Sequence, residues 1–205
     1  MKKLIIFDFD GTIVDSKEAW FKAVNKLAPQ YNYTPIKKTE IKRLRNKTIK
    51  EIMHEKNIAY RKLPFLLNKL RKELENEMQK SNLYKGIKEV IANLNKNNII
   101  AIITSNSEEN TIKFLNKHKI KINFIYGGTN IFGKAVKINR IMKKVHPTIK
   151  ETYYIGDEVR DIKAAKKTGI KSIAVTWGFN SKSILKKANP NYIIGKPKEL
   201  IKIIN

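Results

Sequence analysis

The stretch Phe7-Asp8-Phe9-Asp10-Gly11-Thr12 sets two carboxylates two residues apart at the end of an apolar block, residues 4–9. Acids two apart on a strand share a face, and a chain that unwinds at Gly11 can swing the second beside the first. A turn-acid reading of Asp8 and Asp10 is weak, because acids directly after Leu-Ile-Ile-Phe are costly to bury without a cation or a shared proton. A second acidic stretch, Gly156-Asp157-Glu158-Val159-Arg160-Asp161, follows the apolar residues 152–155 and puts Asp161 one helical turn beyond Asp157. Alone, this pair would serve as helix-start acids facing the dipole. With Asp8 and Asp10 it makes a hard oxygen-donor site of the kind Mg²⁺ takes, water and a substrate phosphate completing the octahedron.

Two further pieces suit phosphoryl transfer. Ile102-Ile103-Thr104-Ser105-Asn106 ends an apolar block in hydroxyls and starts a helix, so a phosphate would meet side-chain OH and free backbone N–H groups together. Lys134 offers a cation for the transferring oxygens. It also closes Gly128-Thr129-Asn130-Ile131-Phe132-Gly133-Lys134-Ala135, a near match to a P-loop; Ala135 stands where the Mg²⁺-binding Ser/Thr belongs, and a P-loop would leave Asp8 and Asp10 unexplained.

These residues need a scaffold that gathers chain-distant positions on one rim. Residues 4–9, 99–104, Phe124–Tyr126, 152–155 and 172–175 are apolar blocks suited to buried parallel strands. Helical spacing lies between them, in Ile87, Val90, Ile91 and Leu94, in Ile138, Ile141, Met142 and Val145, and in Val159, Ile162 and Ala165. The alternation predicts a doubly wound α/β core with a parallel sheet, whose strand carboxyl ends share one rim. Residues 16–83 break it, showing helical stripes (Trp20, Phe21, Val24, Leu27; then Leu63, Leu66, Leu67, Leu70, Leu74, Met78) and no convincing strand, with Pro29, Pro35 and Pro64 expected at turns or helix starts. The expected division is a discontinuous core, 1–15 and 84–205, with a helical insert, 16–83.

Composition narrows the function. In 205 residues there is no cysteine, which excludes disulfides, thiolate nucleophiles and Cys-based metal centres. The formal charge is +25. A nucleic-acid surface is one reading of it. The lysines are scattered among Ile and Asn, and bidentate phosphate or guanine reading favours arginine, so solvated faces are the preferred reading. No uncharged apolar run approaches the ~18 residues of a membrane span, and the expectation is a soluble cytoplasmic protein, monomer or homodimer. His54, His118 and His146 have no metal-ligand spacing and are expected on the surface. Trp177 and Phe179 are expected in the core or a dimer contact. Arg45 and Lys47 are candidates for a second substrate anion.

Asp8-x-Asp10-Gly11-Thr12, Thr104 at a strand end, Lys134 before a helix, and Gly156-Asp157-x-x-x-Asp161 resemble, in order and spacing, the four motifs of the haloacid dehalogenase-like hydrolase superfamily. The helical insert after the first motif is similar to the C1 cap of the branch that holds phosphoglycolate phosphatase and β-phosphoglucomutase. The resemblance implies a phosphatase for a small phosphorylated metabolite, with Asp8 as nucleophile and Asp10 as acid and base. Thr104, Ser105 and Lys134 would hold phosphate. Mg²⁺ would sit on Asp8, the Asp10 carbonyl and Asp157, supported by Asp161, Gly11 and Thr12. Trp20 stands where mutases of this branch carry a histidine, and this chain reads Leu44-Arg45-Asn46-Lys47-Thr48-Ile49 where their cap loop has a Gly and then an Arg, which favours a phosphatase over a sugar-phosphate mutase.

Overall fold

The computed structural model describes residues 2–128 and 133–204. Strands β1 (Leu4–Phe7), β4 (Ile99–Ile103), β5 (Phe124–Tyr126), β6 (Thr152–Gly156), β7 (Lys171–Val175) and β8 (Tyr192–Ile194) form one sheet, ordered β5-β4-β1-β6-β7-β8, with every pairing parallel. β-branched isoleucines dominate the inner strands because both faces are covered. Along β1 the faces alternate: Ile5 and Phe7 pack with Ile87, Val90, Ile91 and Leu94 of α5 (Ile87–Leu94), while Leu4 and Ile6 pack with Ile138 and Ile141 of α7 (Lys134–Val145). Helices α6 (Glu108–Lys117), α8 (Val159–Lys167), α9 (Lys182–Lys187) and α10 (Glu199–Ile204) complete the two outer layers.

The chain winds outward from β1 on one side through β4 and β5, and returns to the other side through β6, β7 and β8. The topological switch point, where such sheets leave a crevice at their carboxyl ends, therefore lies beside β1. Leu4–Phe7 is in register with both 99–102 and 152–155, so Asp8 emerges level with the ends of both neighbours.

Between β1 and α5 the chain leaves the sheet. Strands β2 (Val14–Asp15) and β3 (Asn82–Leu83) pair antiparallel and hold the start and end of the excursion side by side. Within it run α1 (Lys17–Tyr31), α2 (Ile41–Leu44), α3 (Ile49–Glu55) and α4 (Leu63–Met78). Ala19, Ala23 and Leu27 of α1 pack on Leu66, Leu70 and Leu74 of α4 in a cluster separate from the sheet core. α1 thus meets α4 through its alanine side, with Trp20 and Val24 only at the margin of the contact.

The structure corrects several local expectations. Pro29 lies inside α1, in its last turn, where the helix stops at Asn32 in the left-handed region (φ 53°) and a single lost N–H is tolerated. β1 ends at Phe7 instead of Phe9, since Phe9 already turns, its carbonyl accepting the N–H groups of Ile13 and Val14 at 2.9 and 3.0 Å. The two-residue β3 falls in the stretch read as strandless, and β8 is a sixth strand the apolar blocks did not reveal. Four residues of the P-loop-like stretch, 129–132, lie outside the described residues.

Candidate active site

Four carboxylates and one lysine are buried together at the carboxyl rim of β1 and β6: Asp8, Asp10, Asp157, Asp161 and Lys134. The backbone places each. Asp8 extends β1, its N–H donating to the Ile155 carbonyl at 2.8 Å, and its Oδ1 accepts the Phe9 N–H at 2.8 Å. Lys134, the first residue of α7, reaches Asp8 Oδ2 at 2.7 Å and also pairs with Asp161. Asp161 sits one turn into α8 and accepts the Glu158 N–H through Oδ2 at 2.9 Å, so the capping interaction that starts the helix also aims this carboxylate at the lysine.

Asp157 is the most tightly held. Thr12 Oγ1 donates to its Oδ1 at 2.7 Å and the Phe179 N–H to its Oδ2 at 2.7 Å. Two glycines press against the same carboxylate: a Cβ on Gly11 would stand 2.3 Å from Asp157 Oδ2, and one on Gly178 2.2 Å. Gly11 also has φ +72°, a conformation side chains resist.

Asp10 turns away from this group. Its Oδ2 accepts a hydrogen bond from Asn106 Nδ2 at 2.6 Å; the Ser16 and Trp20 side chains face the same carboxyl and favour its ionised form, although among the described residues Asp10 Oδ1, Ser16 Oγ and Trp20 Nε1 have no partner at close hydrogen-bond geometry. Thr104 is buried at the end of β4, its hydroxyl accepting the Asn106 N–H at 3.1 Å, and Ser105 is half-buried beside it. The helix expected to begin at this point starts later: α6 opens at Glu108, is capped by Ser107 and carries Glu108 and Glu109 in its first turn. The N–H groups following Ser105 therefore belong to a loop, because Ser107 is the residue whose extended backbone and hydroxyl make the cap.

Charge balance decides what the site can hold. Burial raises the pKa of Asp8 to about 7 despite the lowering by Lys134, and burial likewise pushes Asp10 and Asp157 above the ordinary aspartate range. Lys134 is held charged by Asp161 and Asp8 against the cost of burial. Oxygens of Asp8, Asp157 and Asp161 lie within 4.8 Å of one another. Excess buried negative charge and an all-oxygen donor set fit a hard divalent cation. The close acid triad contains Asp161 in place of the Asp10 side chain, which faces Asn106 instead.

Residues that pattern reading passed over complete the site. Asn106 is the hydrogen-bond partner of Asp10, and its offset from Thr104 was the available signal. Arg160, paired with Glu158, adds positive charge acting on Asp8 and Asp10. The Phe179 N–H gave no signal, since a backbone donor has no residue type. Trp177 packs on the sheet core and donates through Nε1 to the Thr12 carbonyl at 3.1 Å, while the Phe179 ring meets Trp20 edge-on.

Arg45 binds backbone carbonyls of Thr176, Gly178 and Phe179, and Lys47 pairs with Glu55, so both cations considered for a second anion are engaged within the protein. His54 and His146 are exposed, but His118 is half-buried against Phe114, with ring centroids 4.4 Å apart.

Residues 5–175 match the family model of haloacid dehalogenase-like hydrolases. This chain belongs to that family. The hydrolase is 30% identical over 203 residues to a phosphoglycolate phosphatase of Synechococcus elongatus, covering 98% of this chain and 96% of the relative. A phosphoglycolate phosphatase of Vibrio parahaemolyticus is 25% identical over 218 residues, with the same coverage. Among solved structures, a haloacid dehalogenase-like family protein, SP0104 from Streptococcus pneumoniae, superposes with TM-score 0.82 at 21% identity, covering 100% of this chain and 99% of that one. A hydrolase from Pseudomonas syringae gives TM-score 0.78 at 22% identity, covering 98% and 97%. At these identities the structural likeness speaks for the fold of the hydrolase. No helix among the described residues is long and apolar enough to cross a membrane.

Proposed function

We propose that this hydrolase is a Mg²⁺-dependent phosphatase of a small phosphomonoester, phosphoglycolate phosphatase-like, working through an aspartyl-phosphate on Asp8. The observation that carries the reading is the placement of Asp8, at the switch point of the sheet, 2.7 Å from a buried lysine and within a cluster of acids. The names of the Synechococcus and Vibrio relatives support the substrate class.

In the first step an Asp8 carboxylate oxygen attacks phosphorus in line, a P–O bond to Asp8 forms, and the bond to the ester oxygen breaks. The departing oxygen takes a proton from Asp10, whose burial keeps its carboxyl protonated further up the pH scale than a surface aspartate. In the second step Asp10, now ionised, accepts a proton from water as that water attacks the phosphoryl group. Inorganic phosphate leaves and Asp8 is restored.

Lys134 neutralises phosphoryl oxygens, aided by the Thr104 hydroxyl and Ser105, while Asp161 holds the ammonium in place. Asn106 orients the Asp10 carboxyl. Asp8, Asp157 and the Asp10 carbonyl would hold Mg²⁺, with Thr12 and Gly11 fixing Asp157. When bound, that ion supplies positive charge that offsets the buried acids and the substrate phosphate.

Residues 16–83 act in this reading as a cap over a core made of 1–15 and 84–205, hinged at the β2–β3 ribbon. Hydrolysis of p-nitrophenyl phosphate and of 2-phosphoglycolate tests the proposal. Turnover should require Mg²⁺ and disappear in Asp8→Asn; an Asp8→Asn protein with wild-type turnover overturns it.

A further inference from the structure

The loop running from Thr176 to Ser181 touches the acid cluster on one side and the helical insert on the other. On the inner side, the Phe179 N–H donates to Asp157 Oδ2 at 2.7 Å and the Asn180 N–H reaches the Asp157 carbonyl at 3.4 Å. Gly178 brings its backbone against the same carboxylate. Any displacement of this loop therefore removes a charge-assisted hydrogen bond from Asp157 and changes where its oxygens point.

On the outer side, the residues following α2 grip the loop. Arg45 Nε donates to the Phe179 carbonyl at 3.1 Å, and one of its terminal nitrogens donates to the carbonyls of Thr176 and Gly178 at 3.3 and 3.2 Å. The Arg45 carbonyl accepts the Ser181 N–H at 2.8 Å, the Lys47 carbonyl accepts Asn180 Nδ2 at 3.3 Å, and Asn46 Oδ1 accepts the Ser181 hydroxyl at 2.5 Å. From α1, Trp20 meets the Phe179 ring and Lys17 Nζ donates to the Trp177 carbonyl at 3.0 Å. Every one of these contacts joins the insert to the loop. The guanidinium is the member that a lysine could not replace, since its planar fork spans three carbonyls at once.

We propose that Arg45 is a positioning residue: by latching the helical insert onto the 176–181 loop it fixes the Phe179 N–H on Asp157, so that divalent-cation affinity depends on the insert being docked. The inference rests on the phosphatase reading only through the part of Asp157 in cation binding. It gives the arginine a task distinct from holding a substrate anion, and it ties readiness of the acid cluster to closure over it. Partners that orient a ligating group from behind typically govern metal affinity by about 10–100-fold, which sets the size of the expected effect.

The test compares wild type, Arg45→Met, Arg45→Lys and, as a control for lost charge, Lys42→Met, whose side chain is exposed on α2. Two readouts are taken without substrate: Mn²⁺ binding followed by the free-ion paramagnetic signal, and intrinsic fluorescence. The fluorescence is local, because of the chain's two tryptophans Trp177 lies in this loop and Trp20 packs on its Phe179 ring.

Arg45→Met should bind Mn²⁺ at least about tenfold more weakly and shift the tryptophan emission. Arg45→Lys should move both in the same direction, and Lys42→Met should match wild type. Should Arg45→Met fail to fold, Arg45→Lys and amide exchange of the loop carry the test. Mn²⁺ affinities within twofold of wild type for the folded arginine variants overturn the latch. A wild type that binds no Mn²⁺ sinks the cation-dependent phosphatase reading and, with it, the claim on cation affinity; unchanged emission in the variants would additionally remove the docking contact itself.

Discussion

Replacing Asp8 by asparagine should abolish turnover and at the same time make the metal-free protein more stable. The carboxylate is buried, its pKa is lifted from the usual 3.8 to about 7 by desolvation, and Lys134 only partly offsets this, with Asp161 pushing the same way as burial. A group whose native pKa exceeds its unfolded value binds protons preferentially in the native state. Its ionisation therefore costs the fold stability as pH rises from about 4 to about 7, and the loss is complete above that. At ~1.4 kcal/mol per pH unit, the penalty reaches at most about 4 kcal/mol on the alkaline side. Asparagine removes the charge and keeps one acceptor oxygen for the Phe9 N–H; its NH2 cannot accept from Lys134, which retains Asp161 as partner, so the gain falls below that ceiling.

Urea denaturation in EDTA, followed by circular dichroism at pH 5 and pH 8, measures the difference directly. With a slope of ~2 kcal/mol/M, the variant's midpoint should exceed that of wild type by up to about 2 M at pH 8 and by clearly less at pH 5. A variant midpoint at or below wild type at pH 8 would show that Asp8 is not held against its ionisation. A gap that does not shrink in acid would trace the stabilisation to something other than the carboxylate charge.

Gly178→Ala should lower kcat by at least about tenfold and cost about 1–3 kcal/mol of stability, since its Cβ would fall 2.2 Å from Asp157 Oδ2; unaltered kinetics and melting contradict that packing. Millimolar Mg²⁺ should raise the Tm of wild type by binding only the native state, and raise that of Asp157→Asn much less, which differential scanning calorimetry can read. His118, packed on Phe114 beside Lys117, has its pKa lowered below 6.5 chiefly by burial. On acidification the unfolded chain takes this proton first, so stability contributed by neutral His118 is lost as pH falls through 6.5. Proton NMR of the imidazole should give a titration midpoint below 6.5, and a midpoint at or above it refutes the assignment. Leu74→Ala, in the α1–α4 cluster, should destabilise by about 2–5 kcal/mol in thermal unfolding; a loss under 1 kcal/mol would mean that this cluster unfolds separately from what is being measured.

The alternation of isoleucine-rich blocks with helical stripes was enough to read a doubly wound sheet, because burial on both faces leaves a compositional mark on every inner strand. The mark fades at the edge. Tyr192–Ile194 is three residues long, so β8 was recognisable only once Thr176 and 173–175 stood beside it. The two-residue ribbon of Val14–Asp15 and Asn82–Leu83 is likewise too short to announce itself. Pro29 misled because its position relative to the helix end, and not its identity, decides whether it breaks anything.

For the site, the sequence by itself determined which chemistry was available: acids directly after apolar blocks, a lysine opening a helix, and no cysteine anywhere. It could not determine direction. That Asp10 faces Asn106 while Asp161 faces Lys134, that a backbone N–H of Phe179 holds Asp157, and that Arg45 closes on three carbonyls are outcomes of the fold. The physical reason is the range of the interactions. Hydrophobic periodicity is written in neighbours a few residues apart, whereas a hydrogen bond across 134 residues depends on where two loops arrive after the sheet has formed.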